Sequence, residues 1–157
     1  MTRITTFLTY RDGAEDAAKH YVSIFQRSKI TATSRYPEGT GYTPGSVMTV
    51  SFELDGQPFI ALNGGDHFKF SDAISLSIQC ETQDEIEHYT NRLIEGGGEE
   101  GPCGWVRDRW GVSWQVTPTY LTQMATSSDR AVAARVMAAM MKMKRIDIRK
   151  LQEAAKG

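Results

Sequence analysis

Metal-binding and nucleophilic side chains are scarce in this sequence. Its two cysteines are Cys80 and Cys103, its three histidines are His20, His67 and His88, and no CxxC or HxxxH spacing occurs. Neither a zinc module nor a disulfide framework is readable, and both cysteines are read as thiols. Charge of one sign is missing too. The 18 basic and 19 acidic residues leave a formal net charge of -1, which supplies no field to gather nucleic acid or anionic membrane. One local basic run, KMKRIDIRK over 142–150, falls in a helical pattern interrupted by apolar residues and is read as a solvated helix face. No apolar run approaches the ~20 residues that a bilayer demands, and the polar start MTRITTFLTYRDG lacks the apolar stretch of a signal peptide. The expected location is cytoplasmic, with no nucleic-acid or membrane partner. A chain of 157 residues is expected to form one domain.

What is present is a pattern stated twice. ITTFLTY alternates as a strand does, and GAEDAAKHYVSIF follows with Ala17, Ala18, Tyr21, Ile24 and Phe25 at helical spacing. KITATSRYP, VMTVSFEL and PFIALN then read as three strands, the last pair separated by an Asp55-Gly56 turn. From Ala73 the cycle restarts. AISLSIQC is a strand, and Thr82 with Glu85 can form a capping box for the helix DEIEHYTNRLIEGG. GEEGPCGWV and GVSWQVTP read as further strands. Asp16, His20 and Tyr21 recur as Asp84, His88 and Tyr89 at one constant offset, so the chain reads as an internal duplication. Module one covers about 1–65 and module two about 73–118, inside a single domain spanning 1–157. Helices follow over about 119–156, with Ser128 or Asp129 and then Asp147 available as caps. Val132, Val136, Met137, Met140 and Met141 form a stripe that covers either this domain or a second copy.

Alternation along each strand sorts side chains onto two faces. Val112, Trp114 and Val116, then Ile74, Leu76 and Ile78, and Met48, Val50, Phe52 and Leu54, form apolar sets that should bury against helices. The opposite set mixes small, polar and aromatic groups: Thr5, Phe7 and Thr9; Thr49, Ser51 and Glu53; Phe59, Ala61 and Asn63; Ser75, Ser77 and Gln79; Ser113, Gln115 and Thr117. An antiparallel sheet can leave such a face in water, or, if the two halves curve about a common hollow, it lines a small-molecule pocket.

The paired units, with AEDAAKHYVSIF as first helix and DRWGVSWQV near the end, resemble the vicinal oxygen chelate superfamily of glyoxalase I, extradiol dioxygenases and bleomycin-resistance proteins. VMTVSFELDGQPFIALNGGDHFKF, ISLSIQCETQDEIEHY, GPCGWVRDRWGVSWQVTP and RVMAAMMKMKRIDIRKLQEA resemble its PhnB-like, demethylubiquinone 3-methyltransferase-like group. The resemblance implies an α+β fold of paired βαβββ modules, a half-open eight-stranded glyoxalase-like structure with a C-terminal helical extension, in a homodimer. It also implies a place for a divalent metal. Carried over by strand position, the ligand places fall at about Thr5, Ala61, Ser75 and Gln115. Of these only Gln115 can ligate, whereas a catalytic metal needs about three protein ligands. No metal or other cofactor is therefore expected, unless Glu53 or His67 supplies a ligand through a shifted register. The methyl transfer named in the group's label meets no support, because the glycine cluster EGGGEEG closes a helix and opens a strand, the reverse of a glycine-rich turn entering a helix.

The expected function is small-molecule binding, with Phe7, Phe59, Asn63, Ser77, Trp105 and Gln115 as ligand-contacting residues. Two alternatives stand beside it: a metal-dependent lyase, isomerase or dioxygenase acting on adjacent oxygens, and a structural dimer whose hollow is filled by its own side chains. Glu53, His67 and Cys103 are the catalytic candidates, His67 as a base near neutral pH and Cys103 if a positive field forms its thiolate. Cys80 and Trp114 are assigned to the core, and Asp108 to ordering the DRWG turn.

Overall fold

The computed structural model describes residues 2–157, and the chain divides into two compact units, Met1–Phe70 and Ser71–Gly157. The first unit runs β1 (Thr6–Tyr10), α1 (Ala14–Ile24), β2 (Lys29–Arg35), β3 (Val47–Leu54) and β4 (Gln57–Asn63). Its sheet has the order β1-β4-β3-β2, with β1 parallel to β4 and the other neighbours antiparallel. Helix α1 buries Ala14, Ala17, Ala18, Tyr21 and Ile24, a stripe of 3–4 spacing whose alanines let the helix axis approach the sheet. Beneath it lie Val50, Phe52 and Leu54. Phe52 stacks on Phe59 with centroids 5.5 Å apart, and the buried Tyr21 hydroxyl meets that of Tyr10 at 3.1 Å. The β3–β4 hairpin closes through Asp55 and Gly56, at φ 50° and 82°. Both residues are left-handed, as the two-residue turn that matches strand twist requires.

The second unit repeats the order: β5 (Leu76–Cys80), α2 (Gln83–Ile94), β6 (Glu99–Glu100), β7 (Trp105–Arg107) and β8 (Ser113–Pro118), in a sheet ordered β5-β8-β7-β6. Again the first and last strands are parallel neighbours. Helix α2 starts at the capping box: the Thr82 hydroxyl accepts from the Glu85 N–H at 3.2 Å, while the Glu85 carboxylate accepts from the Thr82 N–H at 3.3 Å. Helix α1 lacks a capping side chain of its own and borrows one. The Asn63 Oδ1 accepts from the Ala14 N–H at 2.9 Å, which satisfies one of the helix's orphan donors. Within GEEGPCGWV, read as strand, β6 and β7 are separated by a tight 3₁₀ turn at Pro102–Gly104. Gly104 at φ 80° lies against β8, where an added Cβ would come within 2.6 Å of the Val116 carbonyl oxygen, so no side chain fits there.

The tail adds α3 (Thr119–Ala125), α4 (Arg130–Met140), capped by Asp129, and α5 (Ile148–Lys156), capped by Asp147. The basic run 142–150 is helical only from Ile148, and of its basic side chains Lys142, Lys144, Arg149 and Lys150 are exposed while Arg145 is half-buried. Its first residues form the α4–α5 connection, where the Cys103 and Gly104 N–H groups donate to the Met143 and Lys144 carbonyls at 2.8 and 2.7 Å. Arg145 forks onto both oxygens of Glu100 at 2.9 Å and also meets Glu87. Two carboxylates drawing one guanidinium out of water override the solvation that the local pattern suggested. No helix among the described residues is long and apolar enough to cross a membrane.

The helix-covered face carries the stability. Phe52→Ala should lower the unfolding free energy by roughly 3–5 kcal/mol, while Ser51→Ala, one residue away on the uncovered face, should change it by less than about 0.5 kcal/mol. Denaturant titrations of the two variants check the contrast.

Candidate functional site

The second unit's uncovered sheet face is organised from one buried carboxylate. Asp108, 3% exposed, accepts the Trp110 and Val112 N–H groups on Oδ1 and the Trp114 indole N–H on Oδ2, all at 3.0 Å. Three donors on one carboxylate offset its desolvation. They also pin the entry to β8 with Trp114 turned into the core. Alternation then sends Ser113, Gln115 and Thr117 to the other face. The register sets Gln115 between Ser77 on β5 and Trp105 on β7, and Ser113 beside Arg107.

On that face Gln115 donates from Nε2 to the Ser75 hydroxyl at 2.8 Å. Asp72, from the segment leading into β5, accepts from the Ser113 hydroxyl on Oδ1 at 2.6 Å and from Arg107 on Oδ2 at 2.7 Å. The Ser113 hydrogen bond, then that of Arg107, hold the Asp72 carboxyl below the usual range. Arg107 also donates to Glu99 at 2.8 Å. Beside them a cavity of about 350 Å³ is lined by Trp105, Val106, Arg107, Ser113, Asp72, Glu99, Gly101 and Pro102. Trp105 is half-buried, its ring offering apolar area with an N–H at one edge. Gly101, whose N–H donates to the Trp105 carbonyl at 2.8 Å, leaves the approach to that side chain open.

Of the ligand-contacting residues expected from the sequence, Ser77, Trp105 and Gln115 share this face. Phe7, 55% exposed, lies on the uncovered face of the first sheet with Ile60 and Ser51. Phe59 and Asn63 do not lie there. Phe59 pairs with Phe52 and is 5% exposed, placing it on the helix side. Ala61, opposite Val50 and fully buried, faces the same way. Asn63 is spent on structure: besides capping α1, its Nδ2 donates to the Val47 carbonyl at 3.0 Å. Glu53 sits on the uncovered face of the first sheet with the Lys29 ammonium 3.8 Å away, and His67 is exposed in a turn. Cys103 is half-buried at φ 59° within the 3₁₀ turn. Cys80 is fully buried, and burial pushes its thiol up to about 12, which leaves it no thiolate at neutral pH. Asp72, Glu99, Arg107 and Ser113 were missed as site residues. The signal for Arg107 was its place two residues from Trp105 on one short strand. Asp72 left none, because it arrives from a loop.

The donors present do not suit a divalent ion. Among the described residues no group of three or more His, Cys, Asp or Glu side chains converges, and at the place of superfamily ligands the Gln115 amide is engaged with a neutral serine. The carboxylate that orders the face is readily tested. Asp108→Ala strands three donors, and at about 1–3 kcal/mol for each buried unsatisfied group it should cost at least about 3 kcal/mol in a denaturant titration, with a changed tryptophan emission.

The comparisons agree with the topology. The family model described as 3-demethylubiquinone-9 3-methyltransferase matches residues 2–117, leaving α3–α5 outside it. The PhnB protein from Bacillus cereus is 35% identical over 75% of this chain and 100% of that one, with a TM-score of 0.66. Protein PA1353 from Pseudomonas aeruginosa is 17% identical over 75% of this chain and 98% of that one, at a TM-score of 0.63. A variant of the fosfomycin resistance protein FosX from Listeria monocytogenes, in complex with Mn(II) and 1S,2S-dihydroxypropylphosphonic acid, is 14% identical over 74% and 91%, at a TM-score of 0.53. The last two show the fold alone. Among curated proteins none matches. Two four-stranded sheets, each with its first and last strands in chain order paired in parallel, and a family match over most of the chain place this protein in the PhnB-like, 3-demethylubiquinone-9 3-methyltransferase family of the glyoxalase fold.

Proposed function

We propose that the protein binds a small organic molecule against Trp105, on the uncovered face of its second sheet. The observation that carries this reading is the half-buried indole opening onto a cavity of about 350 Å³ with polar groups at one side. That combination of an apolar wall with a few placed hydrogen-bonding groups is the usual make-up of a ligand pocket. Gln115, next to Trp105 in register, and Ser77 beyond it on β5 would meet the polar edge of a ligand that extends across the face. Phe7 belongs to the corresponding face of the first unit, where it is available to a ligand in the same way.

The methyl transfer in the family's description draws no support from the turns that enter the helices. Arg11-Asp12-Gly13 precedes α1 and Glu81-Thr82 precedes α2, so neither turn is glycine-rich. The three glycines Gly96, Gly97 and Gly98 lie instead between α2 and β6. Nor do Glu53, paired with Lys29, and the exposed His67 support metal-assisted chemistry. The same reading takes the protein as a homodimer, which would cover the exposed Phe68 and Met141 side chains, at 57% and 71%. Sedimentation equilibrium should give twice the chain mass, and a monomer at micromolar concentration would remove that part.

The neutral naphthalene dye prodan tests the binding site directly. Its emission should shift to the blue on addition of the protein, and Trp105→Ala should weaken the dye's binding by about tenfold or more. Equal binding by the variant would mean that the dye lies elsewhere.

A further inference from the structure

The charges around Trp105 point to what this cavity accepts. Arg107 is the sole cationic side chain in the lining, and an isolated guanidinium there would recruit carboxylates, phosphates or phosphonates. It is not isolated. Its Nη1 donates to Glu99 at 2.8 Å and its Nη2 to Asp72 at 2.7 Å, so both terminal nitrogens are committed to carboxylates of the chain itself. Asp72 is held in place from its other oxygen by the Ser113 hydroxyl at 2.6 Å, and Ser113 is 3% exposed. This fixes Asp72 on a buried anchor, whereas an ordinary surface ion pair has none. An incoming oxyanion that reached the remaining guanidinium N–H groups would sit beside two carboxylates. One positive and two negative side chains leave the lining net negative, next to an indole face whose quadrupole also favours positive charge.

We infer that the Trp105 cavity selects flat ligands that are uncharged or cationic and rejects oxyanions, with Asp72 and Glu99 acting as the excluding groups. The inference rests on the ligand-site reading above and adds a charge rule to it. The two carboxylate side chains are 60% and 68% exposed, and the ion pairs they make with Arg107 contribute little to stability. Both stand against Arg107 in the lining of the cavity, where their charge bears on what enters. Position on the chain supports the same conclusion, since Asp72 lies before β5, Glu99 on β6 and Ser113 on β8. Carboxylates from two separate segments converge on one arginine, and a third segment anchors one of them.

Three probes of one shape and different charge test the rule: 2-naphthalenemethanol, 2-naphthylmethylammonium and 2-naphthoate, titrated into the full chain by calorimetry at pH 7. The alcohol and the ammonium should each bind at least about tenfold more tightly than the carboxylate. Glu99→Gln and Asp72→Asn should each narrow that gap, and the double variant, in which Arg107 is released, should favour 2-naphthoate. Glu99→Gln leaves the Ser113–Asp72 bond untouched, so it answers even if the Asp72 variant folds poorly. A wild-type preference for 2-naphthoate, or a gap unmoved by either substitution, would overturn the charge rule while leaving Trp105 as a binding surface. Failure of all three probes to bind would overturn the cavity reading and the rule with it.

Discussion

Parallel pairing of the first and last strand in each unit is the constraint from which the rest descends. A strand that returns alongside its own starting strand, after a helix and a hairpin, obliges the helix to lie across one face of the sheet. Once α1 covers Val50, Phe52 and Phe59, strict two-residue alternation decides every other side chain on those strands, because a slip of one position would put the whole apolar set into water. The uncovered face is thus defined by exclusion. In the second unit the same logic is reinforced locally by Asp108, whose two oxygens tie the turn and the Trp114 indole together. Trp114 turned inward is the condition for Gln115 facing out beside Trp105.

How much of this was legible depended on how unequal the two faces of a strand are. VMTVSFEL separates cleanly into a large apolar set and a small polar one, and its buried face was read directly. QPFIALN does not separate: Phe59 and Ala61 lie on one face, Ile60 and Leu62 on the other, and either set could be buried. The deciding information lay in the neighbouring turn. A two-residue Asp55-Gly56 loop sets Leu54 opposite Gln57 and hence Phe52 opposite Phe59, so the known face of β3 carries over to β4 and brings Phe59 and Asn63 to the helix side. The basic run near the C-terminus was opaque for a different reason. Arg145 is drawn in by Glu87 and Glu100, residues distant in sequence whose convergence no local pattern reveals. The caps at Thr82, Asp129 and Asp147, by contrast, are local chemistry and were readable.

The duplication has diverged in the way its helices begin. In the second unit the capping box is self-contained within Thr82 and Glu85, and no strand residue is needed to finish it. In the first, α1 depends on Asn63 at the far end of β4, which also ties itself to the Val47 carbonyl. Two neutral hydrogen bonds of about 1 kcal/mol each join helix, hairpin and the end of the sheet. A polar residue on a mixed strand can be a site candidate or a structural tie, and Asn63 has taken on the second role. Counting where each amide donor and acceptor goes distinguishes the two roles, and residue type alone cannot.

The same accounting separates family membership from chemistry. The fold is shared with proteins of very different description, FosX with its Mn(II) among them, so activity has to be argued from side chains. At the places where the resemblance puts metal ligands, this chain presents Thr5, Ala61, Ser75 and the Gln115 amide. Ala61 is turned into the core, and Gln115 is already donating to Ser75. A divalent ion loses a strongly bound water shell on binding, and neutral oxygens from a hydroxyl and an amide do not replace it. What the face does present in quantity is an indole, small hydroxyls and an arginine neutralised within its own network. Those groups suit recognition of an organic ring by burial and edge hydrogen bonds, which is the reading proposed for this face.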